Sequence, residues 1–170
     1  MTQPASSSQE TPAAHGRGAQ VLLDAALDTM PYGFSMWDLE RRLATSNPKY
    51  LDIYSYRAED IRVGMTLLEL CRLSIALGNH PGLTVDELHD TYQRRFDAAE
   101  SGEQLSSEKA IRGKLIRTTH TFLPGTGWVI RHEDVTDATE RQWLADLKEK
   151  ALARQDQRFA AAVAAAGYPG

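Results

Sequence analysis

The 170 residues include a single cysteine, Cys71. Neither an internal disulfide nor a thiolate cage for zinc can form from it, and a reducing compartment, the cytoplasm, is the expected home. Long apolar runs are missing too. The longest stretch of small apolar residues, Ala160 to Ala166, falls far short of the ~18 residues a membrane span needs, and the Ser/Pro-rich start lacks the cationic and apolar regions of a secretion signal. Basic charge is in deficit: 19 Lys and Arg against 23 Asp and Glu leave −4, which argues against a duplex nucleic acid partner, since such partners need clustered cations. No catalytic triad, phosphate-binding glycine loop or metal-ligand spacing occurs, so neither an enzyme nor a metal site is expected. Acidic groupings such as Asp86/Glu87/Asp90 sit beside helix stripes and read as solvated charge.

What is present fits one globular domain with tails: 42% apolar and 25% charged residues in a chain slightly longer than one typical domain. Residues 1–18 carry no large apolar side chain beyond Met1 and are expected to be a disordered tail. Leu23, Ala26, Leu27 and Met30 then fall at helical spacing, and Pro31 ends that helix. Gly33–Asp38 and Arg42–Ser46 have the spacing of a hairpin. Asn47 before Pro48 is an N-cap signal, and Thr66-Leu67-Leu68-Glu69 and Thr84-Val85-Asp86-Glu87 are capping boxes that open two further helices. The first, Leu67 to Leu77, is apolar on nearly every side; the second carries the stripe Leu88, Tyr92, Phe96 and Ala99. After Gly102 three strand-like runs, 104–111, 114–123 and 128–135, form a meander, and 137–166, free of Gly and Pro, is one long helix. The expected class is α+β, with five strands sharing one antiparallel sheet and helices on one face.

Three segments carry a resemblance: Leu27 to Asp38 (LDTMPYGFSMWD), Asn47 to Tyr54 (NPKYLDIY), and Gly127 to Thr136 (GWVIRHEDVT). In this order they resemble the PAS domain family, and within it the bacterial subgroup of alphaproteobacterial signalling proteins, over roughly residues 21–141. The ending Asp134-Val135-Thr136 is the most specific piece, because PAS domains commonly close their last strand with Asp, a β-branched residue and Thr before an outgoing signalling helix. The resemblance implies a PAS domain over 19–136, including an N-terminal flanking helix, a signalling helix over 137–166, and a short tail at 167–170. No kinase, cyclase, phosphodiesterase or DNA-binding segment is visible. The expectation is therefore a stand-alone PAS sensor or adaptor acting through contact with a larger regulator, such as a histidine kinase of a two-component system or a cyclic-dinucleotide enzyme.

Asp134 and Thr136 are the expected signal-coupling pair; the bland alternative is that Thr136 simply caps the long helix through its hydroxyl. The PAS pocket lies between sheet and helices, where Met36, Tyr50, Tyr54, Leu70, Leu73 and Ile75 are candidate lining residues, more often a filled core than a ligand site. Flavin photochemistry of the LOV type is not expected, since Leu70-Cys71-Arg72-Leu73-Ser74 shares only Cys-Arg with the motif it requires; Cys71 reads as a small buried hydrophobe. No cofactor is assigned. Haem, or a small metabolite, is the minor alternative, with His80 the sole haem-ligand candidate, although its Asn-His-Pro-Gly context suggests a solvated turn. His120 and His132 face each other across two strands if the turn centres on Thr126. The stripes Leu23, Leu27 and Met30 before the domain, and Leu144 and Leu147 after it, are the expected surface for a homodimer or for pairing with a PAS-containing partner, unless they cap their own sheet.

Overall fold

Asn47 does more than cap a helix. Its Oδ1 accepts from the backbone N–H of Phe34 (2.8 Å) and of Tyr50 (3.0 Å), while its Nδ2 donates to the carbonyls of Leu27 (3.1 Å) and Tyr32 (2.9 Å). One buried amide with every site filled thus fastens three elements: the end of helix α1 (Pro12–Thr29), the start of strand β1 (Gly33–Asp38) and the N-terminus of helix α2 (Pro48–Tyr54). The computed structural model describes residues 12–167. Residues 12–18, expected as tail, belong to α1, where the run from Pro12 offers a proline at the first helical position followed by alanines; the rest of the expected N-terminal tail and residues 168–170 lie outside the described residues.

The two capping boxes form as the sequence predicts. Thr66 and Glu69 reciprocate at the start of α3 (Leu67–Ala76), and Thr84 and Glu87 at the start of α4 (Val85–Glu100). Although α3 is apolar almost all round, it buries one side only, Leu67, Leu70, Cys71 and Ser74, leaving Leu73 and Ile75 half-buried. Helix α4 buries Leu88, Phe96 and Ala99 of its stripe.

Strand β2 (Leu43–Ser46), the meander β3 (Leu105–Ile111), β4 (Lys114–Leu123) and β5 (Gly127–Asp134), and β1 make one antiparallel sheet in the order β2-β1-β5-β4-β3. The last strand therefore lies beside the first. At that seam Trp37 pairs with Trp128, and Gly127 opposite Asp38 admits no side chain: a Cβ there would lie 1.9 Å from the Trp37 carbonyl oxygen. The inner face of the sheet packs on α2, α3 and α4, with Phe96 edge-on to Trp37 and to Trp128 and its carbonyl accepting the Trp128 indole N–H at 3.0 Å. Helix α5 (Thr136–Ala165) leaves the sheet directly after β5 and has no buried residue.

Candidate functional site

Alternation along β1, β4 and β5 brings Ser35, Trp37, Thr118, His120, Ile130 and His132 to the inner face, where they meet Tyr50, Tyr54, Tyr56 and Tyr92 from the helical side. Between them lies a cavity of about 30 Å³, room for one or two water molecules. His132 forms its floor. Its Nδ1 shares a hydrogen bond of 2.8 Å with the Tyr54 hydroxyl and its Nε2 one of 3.1 Å with Ser35 Oγ, which also accepts from the Trp37 indole N–H at 3.2 Å. The Tyr50 ring lies 4.7 Å from the imidazole, centroid to centroid. Burial, with His120 nearby, pushes the His132 pKa down to about 3; burial and the Arg95 charge bring His120 to about 4. Both imidazoles are neutral near pH 7. The Tyr50, Tyr54, Tyr56 and Tyr92 phenols are all pushed up, burial being the largest cause, and stay protonated. Tyr56 donates to Ser74 Oγ at 3.0 Å. His120 Nδ1 has no partner although the side chain is buried.

Of the six expected lining residues, Tyr50, Tyr54 and Leu70 reach the cavity. Met36 does not, because β1 buries Gly33, Ser35 and Trp37 toward the helices and turns Phe34 and Met36 to the other face. Leu73 and Ile75 pack against the core from the less buried side of α3. His80 is not a solvated turn residue: it is 3% exposed, held there as the turn folds under α3, where the neighbouring Asn79 Nδ2 donates to the Tyr54 carbonyl at 2.9 Å. Its Nε2 lies 3.4 Å from the Tyr92 hydroxyl, and burial brings its pKa to about 4. It is absent from the cavity wall, and a cavity of this size does not admit a porphyrin, so the residues present do not fit haem. The two strand histidines do not face each other. The β4–β5 turn centres on Gly125, so His120 faces Ile130 and His132 faces Thr118, and the imidazoles are diagonal neighbours on one face. Cys71 is fully buried, its thiol pushed up to about 12 by burial.

A second site joins the sheet to α5. Thr136 Oγ1 donates to Asp134 Oδ1 (2.6 Å) and accepts from the backbone N–H of Leu115 (2.9 Å), while Lys114 Nζ lies 3.3 Å from Asp134 Oδ2. Asp134 Oδ1 also accepts from the Thr136 N–H at 3.2 Å. The hydroxyl therefore does not cap the helix; it spans to β4, while α5 opens from Val135 with no side-chain cap and the Asp134 carboxylate takes only one backbone N–H, that of Thr136. Hydrogen bonds from Thr136, with Lys114 adding to them, hold the Asp134 carboxyl below its ordinary pKa.

Beyond this clasp α5 presents Leu144 and Leu147, 50% and 44% exposed, and Trp143, which the sequence pattern did not single out; Trp143 borders an apolar groove with Leu115, Thr136, Thr139 and Glu140. Leu152, Phe159 and Val163 continue the exposed apolar positions. On α1, Leu23 is exposed, and Met30 just past its end is half-buried, but Leu27 is 5% exposed because the last turn of the helix sits on α2, so it belongs to the core and not to a docking surface. Among the described residues no helix is long and apolar enough to cross a membrane, and no cluster of three metal-ligating side chains occurs.

A family model described as PAS fold matches residues 27–143. No curated protein matches the chain. Among solved structures the chain is similar to the phage VqmA–DPO complex, at 16% identity with a TM-score of 0.54, covering 80% of this chain and 62% of that one. It is also similar to the PAS domain of BvgS from Bordetella pertussis, at 22% identity with a TM-score of 0.51, covering 78% of this chain and 98% of that one. At such identities the likeness to these two is one of fold.

Proposed function

Because the chain belongs to the PAS family, we propose that it works as a sensor or adaptor in bacterial signal transduction whose output is contact with a larger regulator, a histidine kinase or a cyclic-dinucleotide enzyme being the expected kinds. The observation that carries this reading is α5 itself: 30 residues with no buried side chain, an exposed apolar row from Trp143 to Leu147, and a root clasped to the adjacent strands β4 and β5. An isolated apolar row on a helix of this length is a surface waiting for a second helix. The same row serves a homodimer or pairing with another PAS protein, with Leu23 of α1 and the half-buried Met30 just after it as the N-terminal contribution. A shift in the sheet alters the position of Leu115 relative to Asp134 and so biases the two-state setting of the α5 root, which is how an event in the domain reaches the partner.

Capture from cell lysate by the full chain and by the Leu144→Asp/Leu147→Asp variant, with mass-spectrometric identification, tests the proposal. A signalling kinase or cyclic-dinucleotide enzyme should be held by the natural chain and lost by the variant. The same proteins held equally by both would contradict it.

A second reading makes the inner cavity the input. It is favoured by one observation, the buried His120 Nδ1 without a partner on a cavity wall.

A further inference from the structure

Arg95, on α4, lines the inner cavity and also an outer groove with Thr91, Arg94, Ala98, Leu105 and Ser107. It is the one residue that lines both. The inner void is about 30 Å³ and the outer groove, open to solvent, about 320 Å³; because Arg95 lines both, a swing of this one flexible side chain would open the inner void to the groove. Arg95 makes no hydrogen bond or ion pair among the described residues, although its chain neighbours do: Arg94 reaches Thr91 Oγ1, and Arg41 takes Gln93 and Asp97. The groups around it are basic as well. Lys109 on β3, half-buried, also lacks an acidic partner among the described residues; burial first, and the Arg95 charge after it, lower its pKa and that of His120, and burial with the Lys109 and Arg95 charges lowers that of His80. In a chain of net charge −4, a half-buried guanidinium that meets the Tyr92 ring at 5.8 Å and no carboxylate among the described residues, close to the buried His120 imidazole, favours an anion over a cation.

The remainder of the wall specifies the rest of the ligand. Trp37, Tyr50, Tyr54, Tyr92 and Phe96 offer ring faces and edges, which suit a flat apolar body. A guanidinium presents two parallel N–H groups that match a planar carboxylate. We propose that this site binds a small aromatic carboxylate, its carboxylate anchored on Arg95 with Lys109 and the unpartnered His120 nitrogen in support, and its ring inserted among the tyrosines between α4 and the β3–β4 strands. The ligand enters through the outer groove and holds Arg95 in the swung position. This inference rests on the cavity as the input of the sensor, not on the α5 contact, so its failure leaves the capture experiment untouched.

Sodium benzoate is the probe, titrated at fixed ionic strength into the full chain with tryptophan fluorescence and thermal melting as readouts. Benzamide serves as the uncharged isostere and inorganic phosphate as the non-aromatic anion. Saturable benzoate binding is expected, weaker by about tenfold to hundredfold for benzamide and for Arg95→Met, the range for losing one charged hydrogen-bonded contact; Arg95→Lys falls between. Absence of saturable benzoate binding overturns the proposal, as does equal binding of benzamide or phosphate, neither of which depends on any variant folding. Full benzoate affinity in an Arg95→Met protein that melts like the natural one overturns it as well.

Discussion

Three imidazoles buried in the neutral state make this domain sensitive to mild acid. His132, His120 and His80 are held at about 3, 4 and 4, in each case by burial first, whereas an unfolded histidine titrates near ~6.5. Below that value the unfolded chain binds protons that the folded chain refuses, so stability is complete above the unfolded pKa and falls with pH through the window down to the folded pKa. At about pH 5 each group costs about 2 kcal/mol, and the three together about 6 kcal/mol, against a total of about 5–15 kcal/mol for a typical domain. The slope in that window is about 4 kcal/mol per pH unit. The lowered carboxyls of Glu69, Glu87 and Asp134 add their losses only in more acid solution, near and below the ordinary carboxylate range. Urea unfolding followed by the fluorescence of Trp37 and Trp128, both buried, at several pH values between about 7 and 5 measures this directly. His132→Gln should reduce the slope by about a third. Equal unfolding free energies at the two ends of the window would mean that the imidazoles are solvated or charged in the native state and that their burial does not set the acid sensitivity.

Gly127→Ala should prevent folding, since the new methyl would overlap the Trp37 carbonyl at a backbone φ of +138°, and the check is loss of the cooperative unfolding transition. Cys71, buried with its thiol held at about 12, should react with a disulfide reagent at neutral pH only at the rate of global opening, so added urea should accelerate labelling in step with unfolding. Light scattering of the natural chain should give twice the chain mass, falling to one chain for Leu144→Asp/Leu147→Asp; a single-chain mass at every concentration would remove the homodimer.

Much of the fold was legible because its signals are local. A Thr three residues before a Glu dictates a helix start whatever surrounds it, and both such pairs, Thr66/Glu69 and Thr84/Glu87, formed. Strand faces were less legible, since they depend on parity. In Gly33-Phe34-Ser35-Met36-Trp37-Asp38 the alternate sets are Gly/Ser/Trp and Phe/Met/Asp, and the second has two of the three large apolar side chains; the Trp37–Trp128 pairing and the Ser35–His132 bond turn the first set inward instead. For that reason Met36 faces away from the cavity wall. Register was likewise open: Pro124-Gly125-Thr126-Gly127 offers two glycines, and centring the turn on Gly125 moves each β4 residue to a partner two positions along β5, which keeps His120 and His132 on one face but sets them diagonally. Arg95 could not be singled out because its character lies in what surrounds it, and no spacing along α4 reports the absence of a carboxylate across the gap. The ending Asp134-Val135-Thr136 was legible as a junction, but the partner of the Thr136 hydroxyl, the Leu115 N–H, lies 21 residues away in sequence.

The claim on which the account turns is that the sheet governs α5 through the Asp134–Thr136 clasp. The most direct measurement is the activity of the captured regulator, kinase autophosphorylation or cyclic-dinucleotide turnover, with the natural chain and with Asp134→Ala/Thr136→Val. The account predicts that the variant, folded and still bound, no longer changes that activity; an unaltered effect from a variant of native stability would contradict it.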